Sequence, residues 1–216
     1  MRRTRRGAIA VLFGAAVVAG ALVGAVPALP VLVAQMPTIA PAAETVAVSA
    51  DAASCPSGAE PVGSDAPART YADGGIAGTS TADLRAFAVR FNEIRTQHCL
   101  EPIPAENFAW SECLEDRLVW MAEDPSTDPL SAWGHEGTPR SDGAPSEGCD
   151  GNLAGGADNT GATVAQKWWQ SLPHRTSLYR PGEDVGGACI AFAMTHGGLP
   201  DEPSSFARAA ARWTDC

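Results

Sequence analysis

Two histidines hold the clearest chemical potential of this chain. His135 lies in a loop rich in Asp, Gly, Pro and Ser, and His174 ends the segment Trp168-Trp169-Gln170-Ser171-Leu172-Pro173-His174. Neutral imidazoles make hydrogen bonds and are common ligands for Zn²⁺. A reactive metal site needs a third protein ligand, and Glu136 or Glu147 in the same loop has the right oxygen chemistry. His135-Glu136 also opens like the zinc-protease pattern H-E-x-x-H. The next position in that pattern is Pro139, which offers no imidazole and breaks the helix the pattern requires. Ser171 near His174 resembles a nucleophile beside a base, yet no G-x-S-x-G elbow surrounds it. A helix-terminal hydroxyl bonded to backbone accounts for it equally well. Trp168 and Trp169 are adjacent and so face different sides of a helix, one towards a core and the other, Trp169, towards a groove. The acids between residues 124 and 151 lack the regular spacing of an EF-hand loop. No catalytic residue is assigned on these grounds.

The six cysteines, Cys55, Cys99, Cys113, Cys149, Cys189 and Cys216, are even in number and include no C-x-x-C pair. That pattern excludes a redox motif or zinc ribbon and predicts three structural disulfides in an oxidising compartment. Fifteen pairings are open to six cysteines. Locality favours Cys99 with Cys113, leaving Cys149 with Cys189 and Cys55 with Cys216.

These residues must be positioned by a small mixed domain. Ser80 or Thr81 caps a helix in which Leu84, Phe87, Ala88, Phe91 and Ile94 recur on one face, stopped by Pro102 and Pro104. Ser111 caps a second helix with Leu114, Leu118 and Met121 inward, ending before Pro125. Residues 124–151 form a long irregular loop, a kind of segment that is often functional. A third helix covers about 163–172. The apolar run 185–194 reads as a buried strand, and 208–213 as a last strand whose alanines leave helix open. Helices with strands in this order predict an α/β or α+β sandwich.

Upstream, Arg2, Arg3, Arg5 and Arg6 precede an apolar run from Ala8 to Val26. A basic cap before such a run predicts export. The run is as long as a spanning helix needs, about 20 residues, so residues 1–36 are a signal peptide or an uncleaved signal anchor. Residues 37–78, rich in Ala, Pro, Ser and Gly, read as a tether, and 79–216 as the globular domain. The formal charge is −10. Without the four N-terminal arginines, 11 basic residues face 25 acidic ones, a balance near −14. Such a field excludes nucleic acid as a partner and leaves contact with membranes to the N-terminal segment alone.

In chain order, several motifs resemble the CAP superfamily (the SCP-like domains of cysteine-rich secretory, antigen 5 and pathogenesis-related 1 proteins), in its bacterial branch. Asn92-Glu93-Ile94-Arg95 and Leu100-Glu101-Pro102-Ile103 are similar to its N-x-x-R and L-x-P-L. Trp133-Gly134-His135 and Asn152-Leu153-Ala154 resemble its Ser-His and G-E-N-I-A segments. Trp169-Gln170-Ser171-Leu172-Pro173-His174-Arg175, followed by Leu178, Pro181 and Val185-Gly186, is similar to W-x-x-S-P-x-H-R before a V-G-V-G strand. The resemblance implies a disulfide-stapled α-β-α sandwich with a central antiparallel sheet, and a cleft holding His135 and His174. The family glutamate of the G-E-N segment falls on Gly151, and Asp150, if in a strand, would point to the other face. The expectation is therefore an extracellular or cell-surface monomer that binds at a cleft containing His135, His174, Asn152 and Trp169. Its ligand would be a small apolar molecule, a glycan or an extracellular protein. Two alternatives stay open. One is a metal-assisted hydrolase holding Zn²⁺ or another divalent cation on His135, His174 and Glu136. The other is a purely structural protein of the cell envelope.

Overall fold

A computed structural model describes residues 55–56, 64–185 and 187–216. The chain divides into two compact units, 1–49 and 50–216, and every described residue belongs to the second. The expected signal or anchor lies outside the described residues. Among those described, no helix is long and apolar enough to cross a membrane.

In chain order the elements are β1 (Thr70–Tyr71), β2 (Ile76–Ala77), α1 (Thr81–Gln97), β3 (Phe108–Trp110), α2 (Glu112–Ala122), β4 (Asn152–Ala157), α3 (Gly161–Gln170), β5 (Ala188–Gly198) and β6 (Glu202–Asp215). The six strands form one sheet in the order β1-β2-β5-β6-β4, antiparallel throughout, with β3 lying parallel to β5. Mixed helices and a mostly antiparallel sheet are thus confirmed. β1 and β2 fall inside the stretch expected to be tether, so that stretch contributes the sheet's edge.

Alternation along the strands sorts the core into two layers. Ile190, Phe192 and Met194 of β5, with Ala207, Ala209 and Ala211 of β6, face Leu84, Phe87 and Phe91 of α1 and Val164 and Trp168 of α3. Ala191 and Ala193 of β5 and Ala210 of β6 face the other way, against Leu114, Leu118 and Met121 of α2. Helices therefore cover both faces. The alanines of β6 are strand rather than helix because β6 is paired on both edges, by β5 and β4. On the α1 side Phe87 stacks on Phe192 with ring centroids 4.3 Å apart, and Phe91 on Tyr179 at 4.2 Å.

Both long helices begin as their sequences predict. Ser80 and Asp83 form a reciprocal capping box on α1, and the Ser111 side chain accepts from Leu114 N–H on α2. The buried α1 face includes all five expected residues. α1 ends at Gln97, before the prolines, where Cys99 takes a left-handed φ of 57°.

All six cysteines are paired, but not as locality suggested. The bonds are Cys55–Cys99, Cys113–Cys149 and Cys189–Cys216. Cys99 follows α1 on one face of the sheet while Cys113 opens α2 on the other, so their proximity in sequence is lost in the fold. Cys149 instead returns along the long loop to α2, where its N–H donates to the Cys113 carbonyl at 2.8 Å. Cys189 and Cys216 meet because Cys189 pairs with Thr214 across the β5–β6 ladder.

Candidate functional site

The loop 124–151 carries His135, and α2 is its platform. Three contacts hold the loop down. Trp133 lies against β4 at Gly155, where an added Cβ would come within 2.8 Å of the indole. Arg117 of α2, 1% exposed, donates from Nη2 to the carbonyls of Gly134 (2.8 Å) and His135 (2.7 Å), and from Nη1 to Ser146 Oγ (2.6 Å). Gly148 passes so close to α2 that a Cβ there would meet the Arg117 backbone nitrogen at 2.2 Å. The Cys113–Cys149 bond then fixes the loop's end, one residue before Asp150.

Asp150 is where the structure departs most usefully from the sequence. β4 begins only at Asn152, so Asp150 belongs to the loop and strand alternation does not govern it. Its Oδ1 lies 2.7 Å from His135 Nδ1, and its Oδ2 accepts from Glu136 N–H at 3.3 Å. Burial of Asp150 opposes ionisation, but hydrogen bonds from His135 and the Glu136 and Gly151 N–H groups outweigh it and lower the pKa. An ionised carboxylate only accepts, so His135 Nδ1 carries the proton and neutral His135 turns the lone pair of Nε2 outward. The His135 side chain is 65% exposed, which leaves that lone pair open to a ligand.

His174 arrives from the other side, on the short helical segment Leu172–His174 that follows α3 and continues as a π-helical turn, Arg175–Tyr179. Burial lowers its pKa, and electrostatic interaction with His135 lowers it further, so His174 is neutral at pH 7. Asn152 is linked to the His174 backbone through Ser177, whose hydroxyl lies 2.6 Å from Asn152 Oδ1 and 3.3 Å from the His174 carbonyl. The Asn152 amide nitrogen donates to Ala211 O at 3.2 Å.

The other two expected residues have partners of their own. Trp169 stacks on His98 at 4.2 Å, meets Tyr179 edge-on at 5.0 Å and has the Arg175 guanidinium 5.3 Å from its ring. Its contacts are with the end of α1 and with the turn that follows His174. Its neighbour Trp168 is buried in the core and donates from Nε1 to Leu153 O. Glu136 contributes its backbone N–H to Asp150 rather than its carboxylate to a metal. Among the described residues, no three His, Cys, Asp or Glu side chains converge as metal ligands. Two imidazoles alone fall short of the three protein ligands of a catalytic zinc.

At Gly151 a Cβ would stand 3.0 Å from Ala211 O and 3.3 Å from Leu114, so a side chain there would be crowded. Asp150 supplies a carboxylate from the adjacent position instead. Arg117 and Ser177 were not foreseen as part of the site. The spacing of Arg117 from Cys113, one helical turn, was the available signal that both serve one surface.

A cavity of about 300 Å³ opens elsewhere, between 99–104 and 182–185. Its lining includes Arg95, Leu100, Ile103 and Val185, and none of the candidate site residues. No family model, curated protein or solved structure matches this chain.

Proposed function

We propose that the chain is an exported CAP-like module that binds a neutral, hydroxyl-rich ligand such as a glycan at the His135–His174 surface. One observation carries this reading: the 2.7 Å bond between His135 Nδ1 and Asp150, which fixes an exposed imidazole with its acceptor nitrogen outward. Around it stand a neutral imidazole at His174, the Asn152 amide and the Ser177 hydroxyl, a set of hydrogen-bonding groups suited to hydroxyls. Leu172, 63% exposed beside His174, adds an apolar patch against which the carbon face of a sugar ring fits. The layering of helices on both faces of the sheet supports the CAP-like reading, and three disulfides are compatible with an extracellular protein.

The test uses the full chain labelled with ¹⁵N at histidine, with chitotriose as probe. Four histidines give a spectrum that single substitutions assign. Saturable shifts of the His135 and His174 ring signals, abolished by H174A, are expected. Absence of shifts at millimolar probe, or shifts confined to His98 and His196, would refute the reading. Stoichiometric Zn²⁺ binding lost in both H135A and H174A would replace it with the metal-assisted one.

A further inference from the structure

We infer that Arg117 is a positioning residue for the His135–Asp150 pair. The inference rests on the proposal that this pair is a binding surface, and adds how the surface is held in place. Arg117 is buried, yet its fork reaches both arms of the long loop: the 134–135 carbonyls on one and Ser146 on the other. Its guanidinium stacks on Trp120 of the same helix, 4.2 Å from the ring centroid, which limits the directions the fork can take. Trp120 in turn donates from Nε1 to Pro145 O at 2.6 Å, so the stacking partner is itself fixed to the loop.

Geometry makes the arginine irreplaceable by lysine. A planar fork donates to two adjacent carbonyls from one nitrogen and to a hydroxyl from another, whereas an ammonium is a single point of donation. Binding the His135 carbonyl places the His135 Cα; binding Ser146 places the loop segment that leads through Cys149 to Asp150. One side chain therefore sets both partners of the 2.7 Å bond. Its charge also acts on the same groups, because the Asp150 and Glu136 carboxylates both stabilise the guanidinium against its burial. Arg117 Nε has no hydrogen-bond partner and is buried, so the residue is held here by what its two Nη groups do.

The measurement is the tautomer of His135 in the ¹⁵N-histidine full chain, read from long-range ¹H–¹⁵N couplings at pH 7. In the wild type, His135 gives one Nδ1–H tautomer. Arg117→Met is expected to convert this to averaged tautomers while the His98 and His196 signals stay in place. Arg117→Lys, which keeps the charge, is expected to lose the single tautomer too and covers the case in which the methionine variant does not fold. Ser146→Ala, which removes only the Nη1 partner, is expected to weaken it less than either Arg117 variant, because the 134–135 carbonyls stay bound. A lysine variant with lower thermal stability but the wild-type His135 tautomer would overturn the inference and leave Arg117 as a fold-stabilising residue. This readout needs no ligand, so it can fail while the chitotriose titration succeeds, and the reverse.

Discussion

Replacing Glu115 tests how firmly residues 70–79 belong to the domain. Glu115 is fully buried on α2 and accepts from Tyr71 Oη at 2.6 Å through Oε1. Its Oε2 accepts from Thr79 N–H at 2.7 Å, from the Thr79 hydroxyl and from Trp110 Nε1 at 2.9 Å. Gly78 beside it has no room for a side chain, since a Cβ would meet Oε1 at 2.7 Å. In Glu115→Ala the four donors fare differently. Tyr71 and Trp110 are half-buried and can turn to water, and the Thr79 hydroxyl has a second acceptor in Met194 O at 3.1 Å. Thr79 N–H alone stays buried without a partner, which costs about 1–3 kcal/mol. The truncated side chain adds a small cavity, and the total comes to roughly 2–4 kcal/mol. In Glu115→Gln the carbonyl oxygen can serve the three donors at Oε2, and the amide can donate to a reoriented Tyr71 hydroxyl. The cost then falls to about 1 kcal/mol, the charge-assisted part of these bonds. Urea denaturation of the oxidised chain at pH 7 reads both numbers, with unchanged slope confirming that the same surface unfolds. Equal losses in the two variants, or a loss below about 0.5 kcal/mol in Glu115→Ala, would refute this account of the node.

Three further outcomes are expected. Gly155→Ala places a methyl within 2.8 Å of the Trp133 ring and should displace the His135 loop, seen as a changed His135 tautomer with the α1-side core intact. Replacing Cys113 and Cys149 together by serine frees a loop spanning 36 residues and should cost about 4 kcal/mol in the chain-entropy account, measured by denaturant midpoint. For pH, His174 has a folded pKa below its ordinary 6.5, so the unfolded chain takes up the proton first. Its contribution is complete above pH 6.5 and is lost as pH falls through the folded value, so the wild-type melting temperature should fall over that range more steeply than that of His174→Asn. Parallel curves would show that the burial of His174 does not bear on stability.

The elements that local chemistry specifies were legible. Ser80 with Asp83 and Ser111 announced two helix starts, and the apolar stripe from Leu84 to Ile94 named the buried face of α1. What failed depended on the sheet as a whole. β1 and β2 have two residues each, too short for any period to register, and are strands because Ala77 pairs with His196 of β5. Cys99 and Cys113 are neighbours in sequence but lie on opposite faces, a fact that exists only once β5 and β6 separate the layers. At the site the two histidines were recognisable by type. The partners of Trp169 were not legible, because the rotation of α3, which buries Trp168 and sets Trp169 against His98, is fixed by packing against α1.

Asp150 shows how a carboxylate can reach His135 from a position where a strand pattern would not look for one. A side chain at position 151 would crowd Ala211 O and Leu114. The carboxylate that meets His135 comes from the loop instead, at Asp150, two residues before β4. A loop residue is free of strand alternation but pays with mobility, unless the loop is pinned close by. Here the pinning is immediate: Cys149 is bonded to Cys113 and hydrogen-bonded to its carbonyl, Gly148 rests on the α2 backbone, and Arg117 grips the arm that bears His135. The disulfide and the buried arginine, both on one face of α2, thus anchor the two loop arms that bring carboxylate and imidazole together. That arrangement assigns the Cys113–Cys149 bond a place in the site as well as in the fold.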